Sequence, residues 1–171
     1  MDRLTLAVIS YPSRLEETFE RMAMRCAVGV GPDFALERCQ DPTELLFLAS
    51  RWKNRGYAIE RLDLYGHGDG GRFKLGDGLL FASDGTGYPL ARKLGPTLAP
   101  RADVRLLGCR TALARSVGFN GQKLLRDLER LLGRGRRAWG TTAAIGPAHC
   151  GPRGLSDSAH GLLRRHRISS G

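Results

Sequence analysis

The sequence predicts an α/β domain in which helices cover both faces of a mostly parallel sheet. Two observations predict this fold class. Short apolar runs, as expected for buried strands, alternate along the chain with longer segments of helical periodicity. Glycine, proline and aspartate separate these segments. Because alternating strands and helices pack as parallel β-α-β units, the 171 residues are expected to form a single three-layer domain, residues 1–171.

The strands are predicted from apolar, partly β-branched runs. Buried strands are expected at residues 4–10, 34–39, 58–65, 102–107 and 137–144, with an edge strand near 162–168. Two further runs, 72–75 and 79–81, flank Gly76-Asp77-Gly78 and predict a β-hairpin with glycines at its turn. The segment 66–71, which is rich in glycine, is expected to be a loop that ends the preceding strand.

Helical spacing predicts four helices, at residues 15–28, 43–54, 88–98 and 121–132. The second begins after Asp41-Pro42, which suits an N-cap followed by a proline at the first helical position. The third is interrupted by Gly95-Pro96. The apolar side of the first helix is expected to hold Leu15, Phe19, Met22, Met24 and Cys26.

Composition limits the class of protein. No apolar run approaches the ~20 residues of a membrane span, and the start of the chain is interpreted as a first strand, so a cytoplasmic protein is expected. The four cysteines show neither a C-x-x-C pair nor zinc-finger spacing, so we expect free thiols and no metal. No cofactor motif is recognised: the glycines of 66–71 lack dinucleotide-loop spacing.

The net charge of +10 is carried by 23 arginines and 4 lysines. Such a balance suits nucleic acid, an anionic membrane surface or an acidic protein partner. The basic residues are spread along the chain without interleaved aromatic residues or a recognition motif. A solvated basic surface is therefore favoured, and a basic nucleic-acid-binding protein remains the third hypothesis for function.

His67 and Cys109 each follow directly after a predicted strand. Functional groups of parallel sheets gather beyond the carboxyl ends of the strands. If strands 58–65 and 102–107 are neighbours, the imidazole and the thiol face each other at one edge. A thiol becomes a nucleophile when a nearby base or imidazolium holds it as thiolate. The backbone amides of Gly68 and Cys109 are candidates to bind the oxyanion that such an attack creates.

The order of apolar strand, His-Gly, about forty residues, apolar strand, small residue and Cys resembles the caspase-type cysteine peptidases, most closely bacterial caspase-like and CHAT-type proteases. Gly108-Cys109-Arg110 is similar to their nucleophile loop, and the resemblance covers residues 4 to 146. It implies a six-stranded sheet and a metal-free Cys-His dyad that cleaves a protein or peptide. The bacterial members imply a role in defence or cell death.

The same resemblance implies substrate-binding positions. The residue two before the nucleophile lines the family's pocket; here it is Leu107, which supplies neither charge nor a hydrogen bond, so no cleavage preference carries over. Arg14, just after the first strand, lies in the region where a caspase arginine receives an acidic side chain, but an ordinary surface arginine is the favoured interpretation. Thr141 and Trp139, near the end of the last strand, are further pocket candidates, and Trp139 also suits the core.

Two competing interpretations remain. The same scaffold suits a catalytically inactive interaction module, because Leu107 offers no recognition group and no activation loop is evident. His149-Cys150 is a second reactive pair and, with His160 or His166, a candidate metal cluster. Adjacent residues of an extended segment point apart and these spacings match no standard site, so the second interpretation is weak.

Overall fold

The computed structural model describes residues 1–27, 33–113, 118–151, 154–155 and 163–165. Four helices are present in these ranges: α1 (Glu16–Ala27), α2 (Glu44–Asn54), α3 (Tyr88–Leu94) and α4 (Gly121–Leu132). The strands are β1 (Asp2–Ser10), β2 (Phe34–Cys39), β3 (Tyr57–Tyr65), β4 (His67–Asp69), β5 (Arg72–Leu75), β6 (Gly78–Ala82), β7 (Leu98–Leu107), β8 (Arg137–Thr141), β9 (Cys150–Gly151), β10 (Gly154–Leu155) and β11 (Leu163–Arg164).

Five parallel strands form the main sheet in the order β8-β7-β3-β1-β2. The two residue pairs of β11 join β8 antiparallel at one edge. The predicted α/β class with a mostly parallel sheet is therefore confirmed. β4, β5 and β6 form a separate antiparallel sheet, and β9 pairs with β10. None of the helices in the described ranges combines the length and apolarity that a bilayer crossing requires.

Both faces of the sheet are buried, which explains why β1, an inner strand, is continuously apolar from Leu6 to Ile9. Along β1, Leu6 and Val8 enter a large core that also holds the apolar sides of α2, α3 and α4. The intervening Ala7 and Ile9 face the opposite side and pack in a smaller core with α1. The result is a helix–sheet–helix layering.

The direction of each crossover explains why α1 lies apart from the other described helices. The chain leaves β1 through α1 to reach β2, then returns past β1 to β3 and continues to β7 and β8. Because parallel crossovers are right-handed, connections running in opposite directions place their helices on opposite faces. The order reverses between β1 and β3, which is the type of switch point where α/β sheets bind ligands.

The structure corrects several predicted strands. Residues 67–69, expected in a loop, form β4 and add a third strand to the predicted hairpin. β7 begins at Leu98 rather than at residue 102, and β8 ends at Thr141 rather than at residue 144. The predicted edge strand near 162–168 is seen as the short β11, and the remainder of that range, apart from residue 165, lies outside the described residues.

The helices differ from prediction mainly at their ends. α3 ends at Leu94, and a 3-10 turn over Gly95–Thr97 replaces the rest of the predicted helix because Pro96 cannot donate a backbone hydrogen bond. α2 begins at Glu44, since the carboxylate of Asp41 accepts from the Thr43 amide and closes a turn ahead of the helix. On the first helical segment, Leu15 and Met24 are exposed rather than buried.

Candidate functional site

His67 and Cys109 lie just beyond the last paired residues of two neighbouring strands. Tyr65 of β3 pairs with Leu107 of β7 as the last residue pair of these neighbouring strands. Each strand is followed by one glycine and then by the reactive residue, His67 or Cys109. The neighbouring strands that the sequence argument required are thus present. Both side chains are exposed at the carboxyl edge of the sheet.

Glycines let the two strand-end segments touch through their backbones. A Cβ at Gly108 would lie 2.7 Å from the Gly68 nitrogen and 3.0 Å from the Gly66 oxygen. A Cβ at Gly68 would lie 2.3 Å from the Thr111 hydroxyl and 2.7 Å from the Cys109 oxygen. Any larger residue at these positions would push the segments apart. The amides of Gly68 and Cys109, our oxyanion candidates, therefore belong to segments in direct contact.

The His67 ring is held by residues that follow β1. Its Nε2 lies 3.1 Å from the Ser13 hydroxyl oxygen, and the Phe19 ring packs edge-on with centroids 5.3 Å apart. The Leu15 amide donates to the same Ser13 oxygen at 3.1 Å, which fixes the hydroxyl. Because Ser13 occupies Nε2, Nδ1 is the ring nitrogen left to serve a thiol. Sequence reasoning missed Ser13. The sequence can connect Ser13 with His67 only when the pairing of β1 with β3 is already known.

The turn that presents Cys109, residues 108–113 and called the Cys109 turn below, has an unusual backbone. Of the four cysteines, all within the described ranges, Cys109 alone is exposed. Arg110 next to it has φ 56°, the left-handed region that residues other than glycine seldom adopt. The Arg110 amide donates to the Ala143 oxygen at 3.2 Å, and the Ala112 amide donates to the Thr141 oxygen at 2.9 Å. The segment after β8 therefore holds the turn that presents the thiol.

The four candidate substrate residues lie in different environments. Leu107 is 1% exposed and packs in the smaller core, because it faces the α1 side of the sheet. Thr141 is fully buried and its hydroxyl donates to the Gly108 oxygen, so it supports the Cys109 turn. Trp139 is half-buried, with its indole donating to Asp103 at 2.9 Å. Arg14 is exposed next to Ser13 and has no hydrogen-bond or ion-pair partner among the described residues.

Leu107, Thr141 and Trp139 are thus structural in their present positions, while Arg14 lies at the edge of the site.

The pocket that opens at His67 has a volume of about 240 Å³. The residues that line it all come from the β4–β5 hairpin: His67, Gly68, Asp69, Arg72 and Lys74. An ion pair of 3.1 Å joins Arg72 to Asp69, and the Arg72 guanidinium lies over the Phe119 ring.

A larger pocket, about 530 Å³, lies at the amino ends of the strands, away from the thiol. Two of the three arginines that line it are paired with carboxylates, with Arg3 2.5 Å from Glu60 and Arg137 2.6 Å from Asp103. Neither a cysteine nor a histidine is among the described residues that line this pocket, so both reactive candidates lie at the carboxyl edge.

The second reactive pair considered from the sequence does not form. The His149 Nδ1 accepts a hydrogen bond from the Gly146 amide at 3.0 Å, while Cys150 is buried under α1. His160 and His166 lie outside the described residues. Within the described ranges, no group of three or more His, Cys, Asp or Glu side chains is arranged to hold a metal ion.

No protein-family model, no curated protein and no solved structure matches the chain. The function of the chain is therefore inferred from the geometry of its own residues.

Proposed function

We propose that this chain is a cysteine endopeptidase of the caspase-like type, with Cys109 as nucleophile and His67 as its acid–base partner. One observation carries the proposal: Tyr65 and Leu107 pair at the ends of neighbouring strands, and each is followed by one glycine and then by the reactive residue. Covalent acyl transfer needs a thiol within reach of an imidazole, and two exposed residues that follow paired strand ends at equal distances are candidates for that arrangement. The substrate we propose is a peptide segment of a partner protein.

The chemistry follows from the two side chains. His67 takes the proton of the Cys109 thiol, the sulfur attacks the scissile carbonyl, and His67 gives that proton to the leaving amine as the C–N bond breaks, which leaves a thioester. His67 then takes a proton from water, whose oxygen attacks the thioester. The C–S bond breaks, so that Cys109 is restored and the carboxylate product is released. The negative oxygen formed in each attack would be bound by the amides of Gly68 and Cys109. Ser13, on Nε2, would keep Nδ1 directed to the reaction.

The caspase-like identity belongs to the same proposal. In it, β11 supplies the sixth strand of the sheet, and the chain acts in the cytoplasm of a bacterium, in defence or cell death. The five parallel strands and the position of the His-Cys pair at their carboxyl ends support this proposal.

The test compares wild type, Cys109→Ala and His67→Ala on a fluorogenic peptide library pooled by the residue before the cut. We expect wild type to cleave at least one pool, and either substitution to reduce the rate about a thousandfold or more. Cys39→Ala is the matched control, since Cys39 is a buried thiol on β2, and it should keep activity. The alkylation rate of Cys109 at neutral pH is measured in parallel and should fall in His67→Ala. Equal cleavage by wild type and Cys109→Ala would contradict the proposal.

A non-catalytic interaction module is the second candidate. One observation favours it: the residues that line the pocket at the site come from one hairpin, and Cys109 is not among them. An alkylation rate of Cys109 that is independent of His67, together with no cleavage of any pool, would favour the module over the peptidase.

A further inference from the structure

Two thiols are buried together in the smaller core, and both are distinct from the exposed Cys109. Cys26 lies in the last turn of α1 and is 1% exposed, while Cys150 lies in β9 and is 6% exposed. Both belong to the smaller core, with Tyr65 and Leu107. Neither takes part in the proposed peptidase chemistry.

The segment that carries Cys150 is docked against the end of α1. The Arg25 guanidinium, next to Cys26, donates to the Pro147 oxygen at 3.0 Å. The 3-10 turn Pro147–His149 leads directly into β9, which packs against α1. A disulfide needs its two Cα atoms about 4.4–6.8 Å apart, which only cysteines on segments in contact can satisfy, and Cys26 and Cys150 lie on such segments.

The two thiols differ in acidity. Hydrogen bonding from the Cys150 thiol lowers the pKa of Cys26, although burial opposes this effect. The same hydrogen bond and burial raise the pKa of Cys150. Cys26 is therefore the thiol that ionises first, and Cys150 is the neighbour positioned to react with it.

We propose that Cys26 and Cys150 form a redox-active pair that a peroxide converts to an intramolecular disulfide. The Cys26 thiolate attacks one oxygen of hydrogen peroxide, the O–O bond breaks, and the protonated leaving oxygen departs as water. The resulting sulfenic acid is attacked by the Cys150 sulfur, which forms the S–S bond and releases a second water. Two thiols are thus oxidised while one peroxide is reduced. The proposal does not depend on peptidase activity.

The disulfide would tie the segment after β8 to α1. That segment also supplies the Ala143 oxygen that accepts from the Arg110 amide, so the tether would hold residues that support the Cys109 turn. Because the cross-link closes a long loop of the unfolded chain, oxidation should raise the melting temperature by roughly 5–10 °C.

The test is peptide mapping of the full-length folded protein after treatment with hydrogen peroxide and alkylation of the remaining thiols. Cleavage after Lys and Arg places the four cysteines on separate peptides, 26–38, 39–51, 106–110 and 138–153. We expect 26–38 linked to 138–153 as the main disulfide, together with the higher melting temperature. Cys39→Ser, which removes an equally buried thiol, should give the same product, whereas Cys150→Ser should eliminate both the link and the stabilisation.

Three results would overturn the proposal: peroxide-treated wild type with both cysteines alkylatable, a main disulfide that includes Cys39 or Cys109, or the 26–150 link forming only after denaturation. The wild-type mapping decides the matter even if Cys150→Ser fails to fold.

Discussion

The Ser13 hydroxyl takes part in two hydrogen bonds at once, and together they set how the His67 ring is presented. The Leu15 amide donates to the Ser13 oxygen, and His67 Nε2 lies 3.1 Å from the same oxygen. In the imidazolium state, Nε2–H donates to Ser13 while Nδ1–H is left for the thiolate. Ser13 is therefore a positioning residue in the proposed mechanism, since it acts through His67 rather than on the substrate.

We predict that Ser13→Ala reduces kcat roughly ten- to hundredfold with little change in KM. The loss should be smaller than the ~10⁴ of a buried triad carboxylate, because a neutral hydroxyl at an exposed edge stabilises the imidazolium less. Ser13→Thr, which keeps the hydroxyl, should restore most of the rate. Ser50→Ala on α2 serves as the control. An unchanged kcat and unchanged imidazole nitrogen NMR shifts of His67 in Ser13→Ala would remove this role.

Single residues also show how far sequence reasoning extends. The positions of His67 and Cys109 in the fold could be predicted because each lies one glycine beyond an apolar run, and the end of that strand determines its location. Ser13 could not be predicted, because its partner lies 54 positions further along the chain and meets it only through the β1–β3 pairing. Leu107 was assigned to a pocket by position, but strand alternation turns its side chain into the smaller core.

Among the elements, α3 and α4 are joined by a polar contact that their apolar pattern does not reveal. Asp127 of α4 accepts from the Tyr88 hydroxyl of α3 at 2.7 Å and from the Lys123 ammonium at 2.8 Å. Burial opposes ionisation of Asp127, but these hydrogen bonds outweigh it and lower the pKa of the carboxyl below 3.8. The ionised form therefore stabilises the folded chain.

We predict that Asp127→Asn reduces the free energy of unfolding by roughly 1–2 kcal/mol at pH 7. A carboxyl whose pKa is lowered on folding stabilises the fold above its unfolded pKa, and this contribution is lost as the pH falls through the folded pKa. The difference between wild type and Asp127→Asn should therefore be present at pH 7 and shrink as the pH falls below about 4, the ordinary pKa of an aspartate. Urea titrations at several pH values measure it, with the exposed Asp2→Asn as control. A difference that is constant with pH would show that the charge of Asp127 is not responsible.

Element type was easier to predict than element boundaries. Strong periodicity predicted α4 with its observed bounds, and in the structure the Asn120 side chain caps this helix by accepting from the Lys123 amide. β4 was missed because a glycine-rich stretch predicts a loop. Here the glycines have no side chains to keep the segment away from the Cys109 turn, so it can lie against that turn as a strand. β7 starts early because its first residues continue directly from the 3-10 turn at Gly95–Thr97.

In the molecule as a whole, the alternation of strands and helices was sufficient to predict the α/β class, but not the strand order. The order reverses between β1 and β3, and that reversal brings the residues after β1 against His67. Nothing local to either strand encodes this pairing, since it depends on the direction in which each crossover turns. The candidate site is therefore a property of the topology as much as of its residues.

The middle of the sheet also contains a buried ion pair that links the two strands leading to the candidate site. Arg105 of β7 and Asp63 of β3 form two hydrogen bonds, with Nε 2.5 Å from Oδ1, and both residues are buried on the α1 side. Asp63 also lies 3.2 Å from the Arg61 guanidinium. Removing one partner would leave a charge without compensation inside the molecule.

We predict that Asp63→Asn lowers the free energy of global unfolding by about 3–5 kcal/mol, because Arg105 stays charged and buried. Replacing both partners, as Asp63→Leu with Arg105→Met, should recover part of that loss, since the pair then carries no buried charge while Arg61 loses its carboxylate partner. Guanidinium titrations of the wild type, Asp63→Leu, Arg105→Met and the double variant give the coupling free energy. Asp103→Asn, whose partner Arg137 is exposed, is the control and should cost under about 1 kcal/mol. If the losses of unfolding free energy in the two single variants add up to the loss in the double variant, the two charges do not stabilise each other across β3 and β7.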